Sequence, residues 1–470
     1  MGPDPPVDPA GSDAPDWGCR QLNVKFTALV DRIRTLILSK SDQELIDVID
    51  GLHPADVVDV LESLTDSEIE ALFSVIPDDT AAAILGELDL DDQADIVEAL
   101  GVRRSSQILK EMDSDDAADL IGELPKEDRD ELLNAMNSEG EDVRELLQYE
   151  EDSSGGIMTT EFVSIKSDWT VGQTLAHLRH VAPEAETVYY LYVVDADDRL
   201  VGVVSLRELV VADLHAGIEQ IMNRNVRSVH VDADQEEVVQ VFKKYRYLAL
   251  PVVDDDGVLT GLITADDILD VAEEEATEDI QKLAGIVPVD KPYFSTRLSE
   301  LFKSRIVWLM VMFLAQSVTG AILERFSETM RSVIELTFFI PLLIDSGGNA
   351  GSQAATTVIR GLAVRDIRLK DLSKVLWREL ALGLALGGAM AGVAFIRATF
   401  VGGGFAIPII VSISVLVIII MATAVGALLP VCATVLKMDP ATMSAPLITT
   451  IMDALGLTMY FFIARAVLQV

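Results

Sequence analysis

Cysteine is nearly absent from this chain. Its two copies among 470 residues are Cys19 and Cys432, so neither a disulfide framework nor a thiolate zinc site is expected. Histidine is also scarce, and none of its five copies lies beyond residue 300. Softer divalent metals favour imidazole and thiolate, so any metal chemistry in that region is left to oxygen ligands. No nucleophile–base pair, Gly-rich phosphate loop or metal-ligating His motif is legible, which sets enzymes aside. Basic residues are short too: 36 Lys and Arg face 76 Asp and Glu, a net charge of −40. The deficit is uneven. Residues 1–300 carry 23 basic against 67 acidic side chains, a net of −44, whereas residues 301–470 carry 13 against 9, a net of +4. Such a field repels nucleic acid and anionic headgroups and favours cations. Residues 1–18 are rich in Pro, Gly and Asp and lack an apolar core. They read as a disordered tail rather than a signal peptide, which keeps the soluble part in the cytosol.

Two internal repeats organise the acidic part. Apolar residues recur every twelve positions at Leu52, Leu64, Ile76, Leu88, Leu100, Met112, Leu124 and Met136. Most precede a polar or Pro residue and a short amphipathic stretch, as in Met112-Asp113-Ser114-Asp115-Asp116-Ala117-Ala118-Asp119. A cap followed by a short helix, repeated, predicts an all-α superhelix over residues 23–150 after a tail at 1–22. The second repeat spans 154–275. Ile157-Met158 matches Ile221-Met222, and Gly202-Val203-Val204-Ser205-Leu206-Arg207-Glu208 matches Gly261-Leu262-Ile263-Thr264-Ala265-Asp266-Asp267. Each copy reads as strand, helix, strand, Asp-rich turn, strand, helix. This resembles a tandem pair of CBS domains, an α/β module. An acidic connecting helix is expected over 276–302.

The remaining residues, 303–470, read as a membrane domain of five helices at about 306–324, 332–358, 375–400, 406–436 and 445–467. Lys303 and Arg305, the cluster Arg360, Arg365, Arg368, Lys370, Lys374 and Arg378, and Lys437 mark the loops expected on the cytosolic side. The N-terminus is then cytosolic and the C-terminus outside, in a multi-pass plasma-membrane protein.

Inside the fifth span lies Asp453, in Thr449-Thr450-Ile451-Met452-Asp453-Ala454-Leu455-Gly456. A carboxylate at membrane depth costs several kcal/mol and marks a functional site by default. Thr449, Thr450 and Gly456 share its helix face. Pairing with Arg465, three turns away, is the plainer alternative. The second span holds Asp345-Ser346-Gly347-Gly348-Asn349-Ala350-Gly351-Ser352-Gln353, with Pro341 as a possible kink. Its small residues suit helix packing, but Asp345 and Asn349 are more than packing requires. A hard cation takes oxygen ligands, so a few carboxylates and carbonyls suffice for a hydrated ion. One Asp per chain is little; a homodimer places two about one axis.

The order of helical repeat, CBS pair, acidic helix and five spans resembles the MgtE family of magnesium channels. So do the Gly-Gly-Asn-Ala-Gly-Ser-Gln stretch at 347–353 and the Asp439-Pro440-Ala441 … Thr449-Thr450 … Asp453 … Gly456 pattern. The resemblance implies a homodimeric Mg²⁺ channel with Asp453 in its pore, closed by Mg²⁺ on cytosolic acids. It carries that sensing role to Asp267, Asp270, Glu275, Glu278, Asp279 and Asp439, to Glu236, and to Asp113, Asp115, Asp116 and Asp119. Arg246 stands where an acid is expected. Tyr190, Arg207, Thr264 and Asp267 fall where CBS domains hold adenine nucleotides, which implies an ATP site. A carrier for Mg²⁺ or Co²⁺, and a CBS-containing membrane sensor that does not transport, are the competing readings.

Overall fold

The computed structural model describes residues 17–137, 139–181, 187–289, 291, 293–401 and 404–469. Its contacts divide the chain into two compact units that meet between Leu269 and Asp270. The tail expected at 1–22 lies outside the described residues as far as residue 16, and residues 17–22 belong to helix α1 (Trp17–Ser39).

In the first unit the twelve-residue period becomes a structural period. After α2 (Asp42–Ile49) come α3 (Pro54–Leu61), α4 (Asp66–Phe73), α5 (Asp78–Gly86), α6 (Leu90–Leu100), α7 (Val102–Ile108), α8 (Ser114–Glu123), α9 (Lys126–Met136) and α10 (Glu139–Leu146). The N-caps of α3 to α9 are His53, Thr65, Pro77, Asp89, Gly101, Asp113 and Pro125, twelve residues apart throughout. At Thr65 the backbone N–H donates to Glu68 Oε2 at 2.9 Å, so the cap is closed from both sides. From α3 onward each helix packs on the next but one, α3 on α5 through to α8 on α10. No helix this short is stable alone; stacking buries the apolar face that each presents.

The CBS pair follows as two equivalent three-stranded sheets. The first copy holds β1 (Ser164–Lys166), α11 (Val171–Val181), β2 (Tyr190–Val194), β3 (Leu200–Ser205) and α12 (Leu206–Val211). After the short α13 (Ile218–Ile221), the second holds β4 (Val229–His230), α14 (Gln235–Tyr245), β5 (Ala249–Val253), β6 (Leu259–Thr264) and the start of α15 (Asp267–Leu283). β1 runs parallel to β2 and β2 antiparallel to β3, with the same relations among β4, β5 and β6. The repeated Ile-Met pairs now have a reason. Met158 precedes the first copy but packs on Gly261 of the second, and Met222 packs on Gly202 of the first. A Cβ at either glycine would lie within 3 Å of a methionine sulfur. Each copy thus lends its leading segment to the other, and the Gly of the repeated ending makes room for it.

In the second unit the connecting segment departs from expectation. It is helical only to Leu283, turns at Gly285 (φ 72°), and regains helix at Leu298. Gln281 clamps the turn by bonding both the N–H and the carbonyl of Val289. The long helices of this unit are α16 (Leu298–Arg325), α18 (Ile340–Ala363), α19 (Leu372–Thr399), α20 (Ala406–Val435) and α21 (Ala445–Leu468), with the short α17 (Ser327–Ser332) after α16. Among the described residues four helices are long and apolar enough to cross a membrane: α16, α19, α20 and α21. The second expected span, 332–358, is shifted. Residues Ile334–Phe339 form a 3₁₀ turn and α18 starts at Ile340. Pro341 therefore lies in the first helical turn, where no N–H partner is needed, and does not kink the span.

Helix α20 is the hub, touching α18, α19 and α21. Glycine sets these distances. A Cβ on Gly426 of α20 would sit 2.2 Å from the carbonyl oxygen of Gly351 in α18, and one on Gly348 would sit 2.9 Å from Thr449 Cγ2 in α21. The α18–α20 contact is backbone on backbone, the close approach that small residues permit in lipid. Around it pack Phe326, Leu336, Phe339, Tyr460 and Phe461, all buried. Gly426→Ala should lower the melting temperature in detergent by several degrees. Gly388→Ala, with open space around it, should leave it within about a degree; equal melting curves for the two would sink this account.

Candidate metal-ion site

The contact register of the bundle positions its polar groups. Gly351 meets Ile448, Gly348 meets Thr449 and Gly347 meets Met452, so α18 runs antiparallel to α21. Met312 meets Thr450 and Gln316 meets Asp453, so α16 runs parallel to it. The register brings Asp345 to within about one helical turn of Asp453 in height. The glycines take the buried side of α18 and leave Asp345, Asn349 and Gln353, each one turn apart, on its exposed side. Asp345 also lies in the second turn of α18, near the positive end of the helix dipole.

Asp453 is half-buried, and the partner the structure gives it is neutral: Gln316 Nε2 donates to Oδ2 at 3.3 Å. Arg465, the alternative partner, is twelve residues further along α21, about 18 Å of rise. Both threonine hydroxyls beside Asp453 donate to the Pro446 carbonyl, Thr449 at 2.8 Å and Thr450 at 2.9 Å. That commits their hydrogens and leaves oxygen lone pairs as acceptors. Gly456, expected on the same face, is buried against Ile418 of α20 instead.

Below the bundle, the end of α15 meets the turn that starts α21. Lys282 forms an ion pair with Asp439 at 2.8 Å and a second, closer one with Glu278. Burial works against the Lys282 charge, yet the bonds and charges of Asp439 and Glu278 outweigh it and hold the ammonium protonated well above its usual range. Burial and the Asp439 charge raise the neighbouring Asp279 carboxyl. Asp439 also accepts the Ala441 N–H at 2.8 Å, which fixes it at the head of the Pro440–Thr442 turn. Gly285 rests on Ser444 and Pro446. Three of the expected sensing acids, Glu278, Asp279 and Asp439, are thus brought together, with a lysine among them.

The other acids are spread out. Asp267 accepts from the N–H and hydroxyl of Thr264, at 3.2 and 2.6 Å, and so ties the start of α15 to the end of β6. Asp270 and Glu275 follow on the same helix, and Glu236 lies in the first turn of α14. Asp113 is the N-cap of α8; Asp115, Asp116 and Asp119 follow it, Asp115 buried. Arg246 takes the left-handed conformation that ends α14, its N–H donating to the Phe242 carbonyl at 2.7 Å. Tyr190 opens β2 and Arg207 lies exposed in α12. Among the described residues no three His, Cys, Asp or Glu side chains converge as a ready metal cage. An ion held through its water shell does not require one.

Sequence reasoning passed over three residues. Lys282 is the base one turn after Glu278 in an acidic run, and Gln316 is an amide in an apolar stretch; both signals were present. Glu161 gave none. Desolvation, then the charges of Asp113 and Asp142, push its carboxyl up to about 7. Ser114 of α8 bonds the Thr160 N–H at 3.1 Å next door, so Glu161 sits where the helical repeat meets the CBS pair.

Comparison with known proteins decides the family. The MgtE divalent cation transporter model matches residues 340–463, the MgtE intracellular N domain matches 52–152, and CBS domains match 154–215 and 218–274. The magnesium transporter MgtE of Bacillus subtilis is 32% identical over 445 residues, covering 94% of this chain and 98% of that one. The chain belongs to the MgtE family. The Thermus thermophilus magnesium transporter MgtE is 42% identical over 328 residues, covering 70% of this chain and 73% of its own. A crystal structure of the cytosolic domain of the Mg²⁺ channel MgtE in complex with ATP is similar at TM-score 0.50 and 37% identity, over 52% of this chain and 99% of that one. The MgtE family is one of membrane transporters, not of enzymes.

Two outcomes follow. The raised Glu161 carboxyl means the folded form binds its proton more tightly than the unfolded chain between about 4.5 and about 7. Its stabilising contribution is complete below that window and lost as pH rises through it. In Mg²⁺-free buffer, Glu161→Gln should melt above the wild type at pH 8, and the gap should close by pH 5. Lys282→Met leaves Glu278, Asp279 and Asp439 without this counter-charge. Proteolysis across residues 284–297 should then quicken several-fold without Mg²⁺ and return towards the wild-type rate with it.

Proposed function

We propose that this protein is a homodimeric Mg²⁺ channel of the plasma membrane that closes when Mg²⁺ binds its cytosolic acids. The observation that carries the reading is Asp453: a carboxylate within an apolar helix of the bundle, held by a neutral amide. A neutral partner does not offset the charge that a cation would meet there. The polar stripe of Asp345, Asn349 and Gln353 on the exposed side of α18 supports a water-filled path. Placed about a two-fold axis, the stripes and aspartates of two chains would line one pore and leave lipid untouched. The parallel run of α16 and the antiparallel run of α18 relative to α21 match a five-span arrangement with α18 as second span. In that arrangement the cluster of basic residues from Arg360 to Arg378 supports a cytosolic loop there and a C-terminus outside. Oxygen-only ligands favour Mg²⁺ over softer metals.

Gating follows from charge. Without Mg²⁺ the acids of the helical repeat, the CBS pair and α15 repel one another. At high cytosolic Mg²⁺ the bound ions compensate that repulsion, and the end of α15 closes on the turn at Asp439. The ion does this through its higher affinity for the closed state. Influx therefore stops when Mg²⁺ is replete. ATP binds at Tyr190, Arg207, Thr264 and Asp267 in this reading, supported by the ATP complex of the similar cytosolic domain.

Inside-out patch recording of the reconstituted protein, with Mg²⁺ as charge carrier, tests it. Unitary currents should close as cytosolic Mg²⁺ is raised and vanish in Asp453→Ala. Asp267→Asn with Asp270→Asn should need several-fold more Mg²⁺ to close. Liposome uptake without unitary currents would replace the channel by a carrier.

A further inference from the structure

The way Asp453 is held points to a residue outside its own helix. We propose that Gln316 is a positioning residue for Asp453, setting how tightly the site takes a hydrated divalent cation; this rests on Asp453 being the ion site. Helix α16 is the loosest of the apolar helices, with 6% of its most apolar stretch buried. An amide there is costly unless it finds a partner. Gln316 finds one 137 residues away, Asp453 Oδ2 at 3.3 Å, and one turn earlier Met312 meets the Thr450 hydroxyl at 3.5 Å. Two successive turns of α16 therefore lie along the ion-site face of α21.

The chemistry explains why an amide suits the position. A carboxylate swings about its terminal torsion unless a donor fixes it. Gln316 occupies one oxygen and leaves the other for a water of the hydrated ion. A lysine or arginine would fix it as well, but would cancel the charge that attracts the cation. Neutrality with a donor is the combination that orients without competing. The threonine hydroxyls cannot supply it, because both already donate to Pro446.

The test is Mg²⁺ uptake by the reconstituted full chain, read as KM and maximal rate, for wild type, Q316M and D453N. Methionine keeps the length of glutamine and removes the donor. Q316M should raise KM for Mg²⁺ about three- to ten-fold, the net worth of one ordinary hydrogen bond, at a nearly unchanged maximal rate. An unchanged KM in Q316M, with D453N inactive, overturns the proposal and leaves Asp453 as the ion site. A lower maximal rate at unchanged KM makes Gln316 a packing residue and also overturns it. D453N transporting like wild type overturns the ion site itself. Should Q316M fail to elute and melt as a folded protein, Q316N, too short to reach Asp453, decides by the same readings.

Discussion

A carboxylate within hydrocarbon is tolerable only where protein or water surrounds it, and the membrane unit is arranged to meet that demand for Asp453. Glycine is the means. Because Gly351 and Gly426 bring the backbones of α18 and α20 into contact, and Gly348 admits Thr449, α18 can turn its apolar-free side outward and still belong to the bundle. Larger residues there would push α18 away from α21 and leave Asp453 facing lipid.

The same logic of compensated charge governs the cytosolic end. Glu278 and Asp439 pair with Lys282, whose charge also acts on Asp279 and offsets part of the repulsion among the three acids. A divalent ion arriving there meets carboxylates already partly neutralised. Under the proposed gating, closure is a contest between a tethered monovalent cation and a free divalent one.

Much of this was legible in the sequence, for reasons that differ by element. The helical repeat declared itself because caps are local chemistry: a polar, Pro or Gly residue every twelve positions marks the start of each helix from α3 to α9. The CBS copies were legible through their duplicated endings, although the exchange of Met158 and Met222 between copies was not, since pairing across copies leaves no local mark. The apolar helices α16, α19, α20 and α21 followed from hydropathy. The start of α18 was misplaced because Ile334–Phe339, apolar but for Glu335 and Thr337, form a 3₁₀ turn, which composition does not separate from helix. Asp453 stood out as a charge in an apolar run. Gln316 and Lys282 did not, because their roles exist only once α16 and α15 are laid against their partners.

The twelve-residue spacing of the N-caps from His53 to Pro125 has a consequence for how the domain can change. Because every helix rests on the next but one, the stack has a phase, and each cap belongs to a particular face. Loss or gain of a complete unit keeps that phase; a change of any other length sets the remaining caps turning out of step with the surfaces they serve. The length of this domain is therefore quantised. Its reach and acidic charge can grow or shrink over evolutionary time only in increments of one helix.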